Sequence, residues 1–354
     1  MLAIEQLAEK MIVEALRHRV SDIHIVPRKN ETLIQYRIGS KLYPRSTLPK
    51  EYCERLISHF KFSAAMDIGE RRRPQSGAYS LIVDGQPVGL RLSTLPARNK
   101  ESLVIRILPQ FEQIPFYRIS LFPSMTKKLL ALLQYANGLI ILTGPTGSGK
   151  TSTLYSLLNE TSLIYGRNII TLEDPVEKEC DTVLQVQVNE KAGVTYTTGL
   201  KAILRHDPDI IMVGEIRDAE TAKIAVRAAL TGHLVFTTMH TRDARGAIAR
   251  LLEFGVSRQE IEQTLVAVTA QRLVELTCPF CEEECSPYCF SYGRFKRASV
   301  FELLTGNGLR AALRGEEPDP RSFKTLKQAI CKGIALGFIK ESEYAKWVVD
   351  DEKP

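Results

Sequence analysis

The sequence predicts a small α+β domain followed by a larger α/β domain built on a mainly parallel sheet. Three observations lead there. Past residue 123, short apolar runs alternate with stretches of helical periodicity, as in strands joined by helices. Before residue 110, alternating apolar residues read as strands joined by turns, with two helices among them. Between the two, Pro109 to Pro123 is mixed in character and marked by proline, as linkers are. The 354 residues are enough for two domains of ordinary size.

Each element has its own signal. Residues 2–19 place Leu2, Leu7, Met11, Ala15 and Leu16 on one side, with Glu5, Glu9 and Lys10 among them. That is an amphipathic helix, not a signal peptide. Ile23 and Ile25, then Leu33, Tyr36 and Ile38, alternate as strands about a turn at Lys29-Asn30. A helix is expected near residues 50–61. Strands resume at Tyr79–Val83 and Val88–Ser93 about an Asp84-Gly85 turn, and again at Ser102–Leu108. The boundaries expected are therefore 1–110 for the first domain, 111–123 for the linker and 124–354 for the second domain. In the second domain, Leu139–Thr143, Ile169–Leu172, Ile210–Val213 and Leu234–Thr238 read as strands, and Val183–Val188 as extended. Residues 151–163, Tyr196–Arg205 and Ala219–Leu230 read as helices, and so does the segment after 290. The alternation implies a sheet covered on both faces.

Composition narrows the class. Hydrophobic residues at 44% and charged residues at 25% are ordinary for a globular chain. No run of about 18 apolar residues occurs, which excludes an expected spanning helix. A net charge of +6 suits an acidic membrane surface or nucleic acid and requires neither.

The strongest motif is Gly144-Pro145-Thr146-Gly147-Ser148-Gly149-Lys150-Thr151, a full G-x-x-x-x-G-K-[ST] match between an apolar strand and a helix. Glycines let the backbone curl so that its N–H groups face an anion, and the helix N-terminus adds a favourable dipole. Lys150 can reach the β- and γ-phosphates, Thr151 can offer its hydroxyl to Mg²⁺, and Ser152 follows on the same first turn. No Asn-Lys-x-Asp sequence accompanies it, so ATP is expected rather than GTP.

Hydrolysis also needs metal coordination and a group that orients water. Two acidic clusters stand at strand ends, where open α/β sheets place ligands. They are Glu173-Asp174-Pro175-Val176-Glu177 and Gly214-Glu215. The common magnesium-binding form has Asp directly after the apolar run, and here that position is Gly214. Glu215 is then the water-positioning base, and the metal's outer shell falls to Glu173, Asp174 or Glu177. The competing reading makes these carboxylates a solvated loop and a helix cap. His233 and His240 flank the strand Leu234–Thr238; they are either sensors of the γ-phosphate or structural donors. Lys150, Glu215, Glu177 and His240 are the catalytic candidates.

Four of the seven cysteines fall in Cys278-x2-Cys281-x3-Cys285-x3-Cys289. Without an export signal a reducing compartment is expected, which favours metal over disulfide. Four thiols suit a structural tetrahedral Zn²⁺, against the alternative of free thiols.

Taken together, these residues resemble the type II secretion and type IV pilus assembly ATPases, within the RecA-like hexameric motors. The cradle is followed in order by Thr171–Glu177, similar to that family's aspartate box, and by Leu204–Asp218, similar to its atypical Walker B. Thr231–Thr241 is similar to its histidine box. Ser21–Pro27, Arg73–Gly77 and Leu90–Pro96 resemble its N-terminal domain, so the likeness runs from about residue 20 to 305. The relatives separate two Cys-x2-Cys pairs more widely than this chain does.

The resemblance implies a RecA-like P-loop ATPase domain behind a small, PAS-like α+β domain. It implies a homo-hexameric ring with nucleotide between the domains, and arginines reaching the phosphates, for which Arg91 and Arg106 lie in matching segments. It further implies a polytopic inner-membrane platform protein as partner, pilin-like proteins as indirect ones, and a place at the cytoplasmic face of the plasma membrane. No direct nucleic-acid partner is expected. The cysteines and the run Leu184–Asn189 follow the assembly branch. The short N-terminus resembles the competence pilus ATPases of Gram-positive bacteria, which support DNA uptake. Rival readings are a retraction motor, a DNA-translocating motor, or a nucleotide-sensing scaffold with little turnover.

Overall fold

The computed structural model describes residues 4–18, 20–38, 41–98, 100–109, 115–281, 289 and 297–348. They group into two units, one of the residues up to Pro109 and one of those from Pro115 on, with Glu177–Glu179 counted in the first.

In the first unit, α1 (Ile4–Arg17) buries Ile4, Ala8, Met11, Ile12 and Ala15, the stripe that its three-to-four spacing sets up. Next come β1 (Asp22–Pro27), β2 (Glu31–Ile38), β3 (Lys41–Pro49), α2 (Lys50–Ser63), β4 (Gln75–Val83), β5 (Gln86–Ala97) and β6 (Lys100–Pro109). The strands form one antiparallel sheet in the order β3-β2-β1-β6-β5-β4. Ile23, Ile25, Leu90, Leu92, Leu103 and Ile105 form its core together with Leu56 and Phe60 of α2. The sequence gives no sign of β3, because its residues are exposed almost throughout. Pro44 and Pro49 further suit it to a sheet edge.

The second unit contains α3 (Pro123–Ala131), β7 (Gly138–Thr143), α4 (Lys150–Tyr165), β8 (Ile169–Glu173), β9 (Leu184–Gln187), α5 (Tyr196–Ile203), β10 (Ile210–Val213), α6 (Ala219–Leu230), β11 (Leu234–Met239), α7 (Ala244–Glu253), α8 (Arg258–Thr264), β12 (Leu265–Glu275), β13 (Arg297–Thr305), α9 (Gly306–Leu313), α10 (Leu326–Ala335) and α11 (Ser342–Trp347). The sheet order is β13-β12-β7-β11-β10-β8-β9. All neighbours are parallel except the antiparallel edge pair β12–β13. Leu139 and Ile141 of β7 belong to one core cluster and Ile140 and Leu142 to another, so the sheet is covered on both faces.

Three features depart from the sequence reading. The segment read as linker is packed from Phe116 on: Phe116 and Ile119 are buried in the second unit's core, and Ser120 bridges Ser299. Strand β12 has no counterpart in that reading. The stretch after residue 290 is not uniformly helical, since Arg297–Thr305 is β13. Glu302 breaks the apolar run of β13, yet it is buried because its carboxylate accepts the N–H of Ala244 and of Leu326, the first residues of α7 and α10. Among the described residues no helix is long and apolar enough to cross a membrane.

Candidate nucleotide site

Every residue of β7 is buried, which fixes the root of the loop 144–149 inside the sheet. Thr143 anchors it further: its Oγ1 accepts the N–H of Thr241 at 2.8 Å and shares a 2.7 Å bond with the Thr241 hydroxyl. Thr146 and Gly147 are exposed at the tip, while Ser148 and Lys150 are buried. Gly149 caps α4 with φ +88°, a left-handed conformation that a side chain disfavours. No side chain caps α4, whereas Thr195, Asp218, Asp243, Ser257 and Thr325 cap α5, α6, α7, α8 and α10. The first N–H groups of α4 are therefore left for an anion. Lys150 Nζ donates to the carbonyls of Gly144 at 2.7 Å and Pro145 at 3.1 Å, folding its ammonium onto the loop. Thr151 is half-buried and Ser152 exposed on the helix's opening turn. The donor set fits a polyphosphate with its magnesium.

Glu215 is held at the end of β10 from both sides. Gly214 N–H donates to Leu172 O at 2.8 Å, and Thr238 Oγ1 donates to Gly214 O at 2.7 Å. One carboxylate oxygen of Glu215 pairs with Arg217, and the other lies 3.5 Å from His240 Nε2. Burial and the charge of Lys150 push the His240 imidazole below its ordinary range, against the opposing pull of Glu215. The fold thus brings Lys150, Glu215 and His240 into one electrostatic neighbourhood.

A side chain at position 214, where the usual aspartate stands, would be tightly packed. A Cβ there would stand 3.3 Å from Leu172 O, 3.3 Å from the Tyr196 hydroxyl and 3.4 Å from Glu173 Cα. The phenol of Tyr196 borders the place where that side chain would start. Burial raises its pKa, and the negative charges of Asp174, Glu215 and Glu173 raise it further.

Other candidates lie elsewhere. Glu173 is 3% exposed and turned inward: Tyr155 OH donates to both oxygens at 2.7–2.8 Å and Thr171 Oγ1 donates at 2.7 Å. Its place two residues after Thr171 puts it on the α4 face of the sheet. Asp174, the next residue, is exposed. Glu177 does not group with the cradle but with the first unit. His233 precedes β11, at the opposite end of that strand from His240, about 20 Å away at the usual rise. Its Nδ1 lies 3.1 Å from Ala228 O and 3.2 Å from the Thr231 hydroxyl, which makes it a structural tie on the last turn of α6.

Arg91 and Arg106 face each other across β5 and β6 in the first unit. Arg106 Nε donates to Asp22 at 2.8 Å, and Arg91 Nε is buried without a partner. Cys278, Cys281 and Cys289 bring their sulfurs within 4.8 Å of one another, with 3.7 Å between those of Cys278 and Cys289. Two sulfurs about 2.3 Å from one tetrahedral zinc would lie about 3.8 Å apart, so these thiols fit that ion. Cys285 lies outside the described residues.

The sequence reading gave no role to Arg217, Tyr196 or Gln271. Arg217 sits two residues past Glu215 in the same motif, which was a usable signal. Nothing local marks Tyr196 or Gln271.

A buried strand, a curled glycine loop, a helix without a side-chain cap and a strand-end carboxylate together define a P-loop nucleotide-binding α/β protein. The chain belongs to the family described as type II/IV secretion system protein, whose model matches residues 2–343. It is 54% identical to the competence protein ComGA of Bacillus subtilis, over 99% of each chain. It is 44% identical to the type IV pilus assembly ATPase PilB of Thermus thermophilus, over 80% of this chain and 32% of that one. Among solved structures it is similar to the pilus retraction motor PilT with bound ADP, at a TM-score of 0.73 and 27% identity over 97% of each chain.

Proposed function

We propose that the chain is an ATP-hydrolysing motor that powers assembly of a type IV pilus or pseudopilus, of the competence kind that supports DNA uptake. The gathering of Lys150, Glu215 and His240 at one cradle carries this reading. ATP lies with its phosphates along the N–H groups of the loop and the first turn of α4. Lys150 exchanges the Gly144 and Pro145 carbonyls for β- and γ-phosphate oxygens. Thr151 would hold magnesium, with the exposed Asp174 supporting its outer shell, and the bound ion would neutralise charge on those phosphates. Glu215 orients a water at the terminal phosphorus, the bond to the bridging oxygen breaks, and ADP and phosphate result.

Several finer features belong to the same reading. They are the RecA-like and PAS-like fold labels, a homo-hexameric ring, a polytopic membrane platform protein as partner, and a place at the cytoplasmic face of the plasma membrane. Arg91 and Arg106 keep the phosphate-reaching role that the family likeness implies, and Glu177 stays a candidate for the metal's outer shell. Structural zinc sits in the cysteine module.

Turnover by purified protein beside Glu215→Gln is the test. The expected outcome is ATP binding by both and hydrolysis slowed at least about 100-fold in the variant. Equal rates would remove Glu215 from the mechanism. A retraction motor is the second reading, because the likeness to PilT spans 97% of each chain. The competence relative is twice as similar, 54% against 27%, which favours assembly. Strong salt-sensitive stimulation by DNA would instead favour a translocating motor.

A further inference from the structure

Both ends of the cradle rest on one residue of β12. The backbone oxygen of Gln271 stands 2.6 Å from where a Cβ on Gly144 would lie, and its Nε2 stands 2.8 Å from where one on Gly149 would lie. The side chain is fully buried. Its Nε2 donates to Ser148 O at 2.7 Å and to Ser299 Oγ of β13 at 2.9 Å, while Oε1 is buried with no partner among the described residues. Arg272 Nη1 donates to Gln271 O at 2.9 Å, and the Arg272 guanidinium stacks over Trp347 of α11.

We propose that Gln271 is a positioning residue for nucleotide binding: its amide holds the Ser148 carbonyl on the outside of the curl so that the loop's N–H groups face the phosphates. The reason is electrostatic. A carbonyl turned into an anion site repels the phosphate, and a curl that presents only N–H groups must have its carbonyls bound elsewhere. Both N–H groups of the Gln271 amide are committed to acceptors, so the amide is oriented by its donors alone. A carboxylate of the same shape cannot donate there and places a negative charge beneath the phosphates. Sheet edge and cradle are joined through this one side chain, because Ser299 holds its other N–H.

This inference rests on the nucleotide-binding reading, and one titration separates the two. Magnesium-ADP bearing a fluorescent label is titrated into the full chain, Gln271→Leu and Gln271→Glu, alongside thermal unfolding without nucleotide. The expected result is folded variants with a cooperative nucleotide-free transition at a Tm below the parent's, lowest in Gln271→Glu, and Kd raised about tenfold in Gln271→Leu and further in Gln271→Glu. Folded variants that bind within twofold of the parent would overturn the proposal. Should both fail to fold, Ser299→Ala decides by the same measurement: threefold weaker binding supports it and parent-like binding overturns it. A parent chain that binds no nucleotide overturns the nucleotide reading itself, and this inference with it.

Discussion

The imidazole Nε2 of His240 stands 3.5 Å from a carboxylate oxygen of Glu215, and Arg217 takes the other oxygen of that carboxylate. The two residues come from the ends of adjacent parallel strands, β10 and β11, and are 25 residues apart in a chain that aligns Val213 with Thr237.

His240 titrates below the ordinary histidine range in the folded chain, through burial first and Lys150 second. The unfolded chain therefore takes up a proton that the folded chain refuses. The stability tied to this group is complete above about pH 6.5 and is lost as pH falls below it. Thermal unfolding from pH 7.5 to 5 should show a smaller fall in Tm for His240→Gln than for the parent. Parallel curves would place the imidazole outside this linkage.

Arg217 is 62% exposed, so its pair with Glu215 adds little to stability. Its expected contribution is to aim the carboxylate. Arg217→Met should keep the parent Tm and nucleotide affinity while kcat falls about tenfold. A parent-like kcat would make the pair incidental.

The Tyr196 hydroxyl stands 3.3 Å from where a side chain at position 214 would begin, within electrostatic reach of Asp174 and Glu215. Removing its hydroxyl takes a polar group from beside these carboxylates without opening a large cavity. In Tyr196→Phe, the Mg²⁺ concentration for half-maximal ADP binding should rise severalfold, with metal-free binding unchanged. An identical Mg²⁺ titration would leave the phenol as packing alone.

Three sulfurs within 4.8 Å of one another predict a bound soft metal. Elemental analysis should find about one zinc per chain in the parent and a loss in Cys278→Ser, with a lower Tm after chelation. Metal-free protein with the parent Tm would show that the thiols act without an ion.

The strands β7, β8, β10 and β11 were legible because each is a short, wholly buried apolar run beside a helical stretch. β12 and β13 were not. Gln271, Arg272 and Glu302 interrupt their apolar character, and each is buried only because partners from distant segments satisfy it. The exposed edge strand β3 was hidden for the opposite reason, having no buried face to reveal its period.

Sequence alone determined the phosphate cradle, the order of the motifs around it and the parallel α/β plan, since loop chemistry and strand periodicity are local properties of the chain. Tertiary structure decided which carboxylate faces the cleft. Glu173 shares a sheet face with Thr171 and is drawn inward by Tyr155, whereas Glu215 lies past the end of its strand and meets His240. It also tied the His233 ring to Ala228 O and set Gln271 beneath the loop. Partners supplied by distant helices, strands and loops made those choices, which the sequence of a single segment does not reveal.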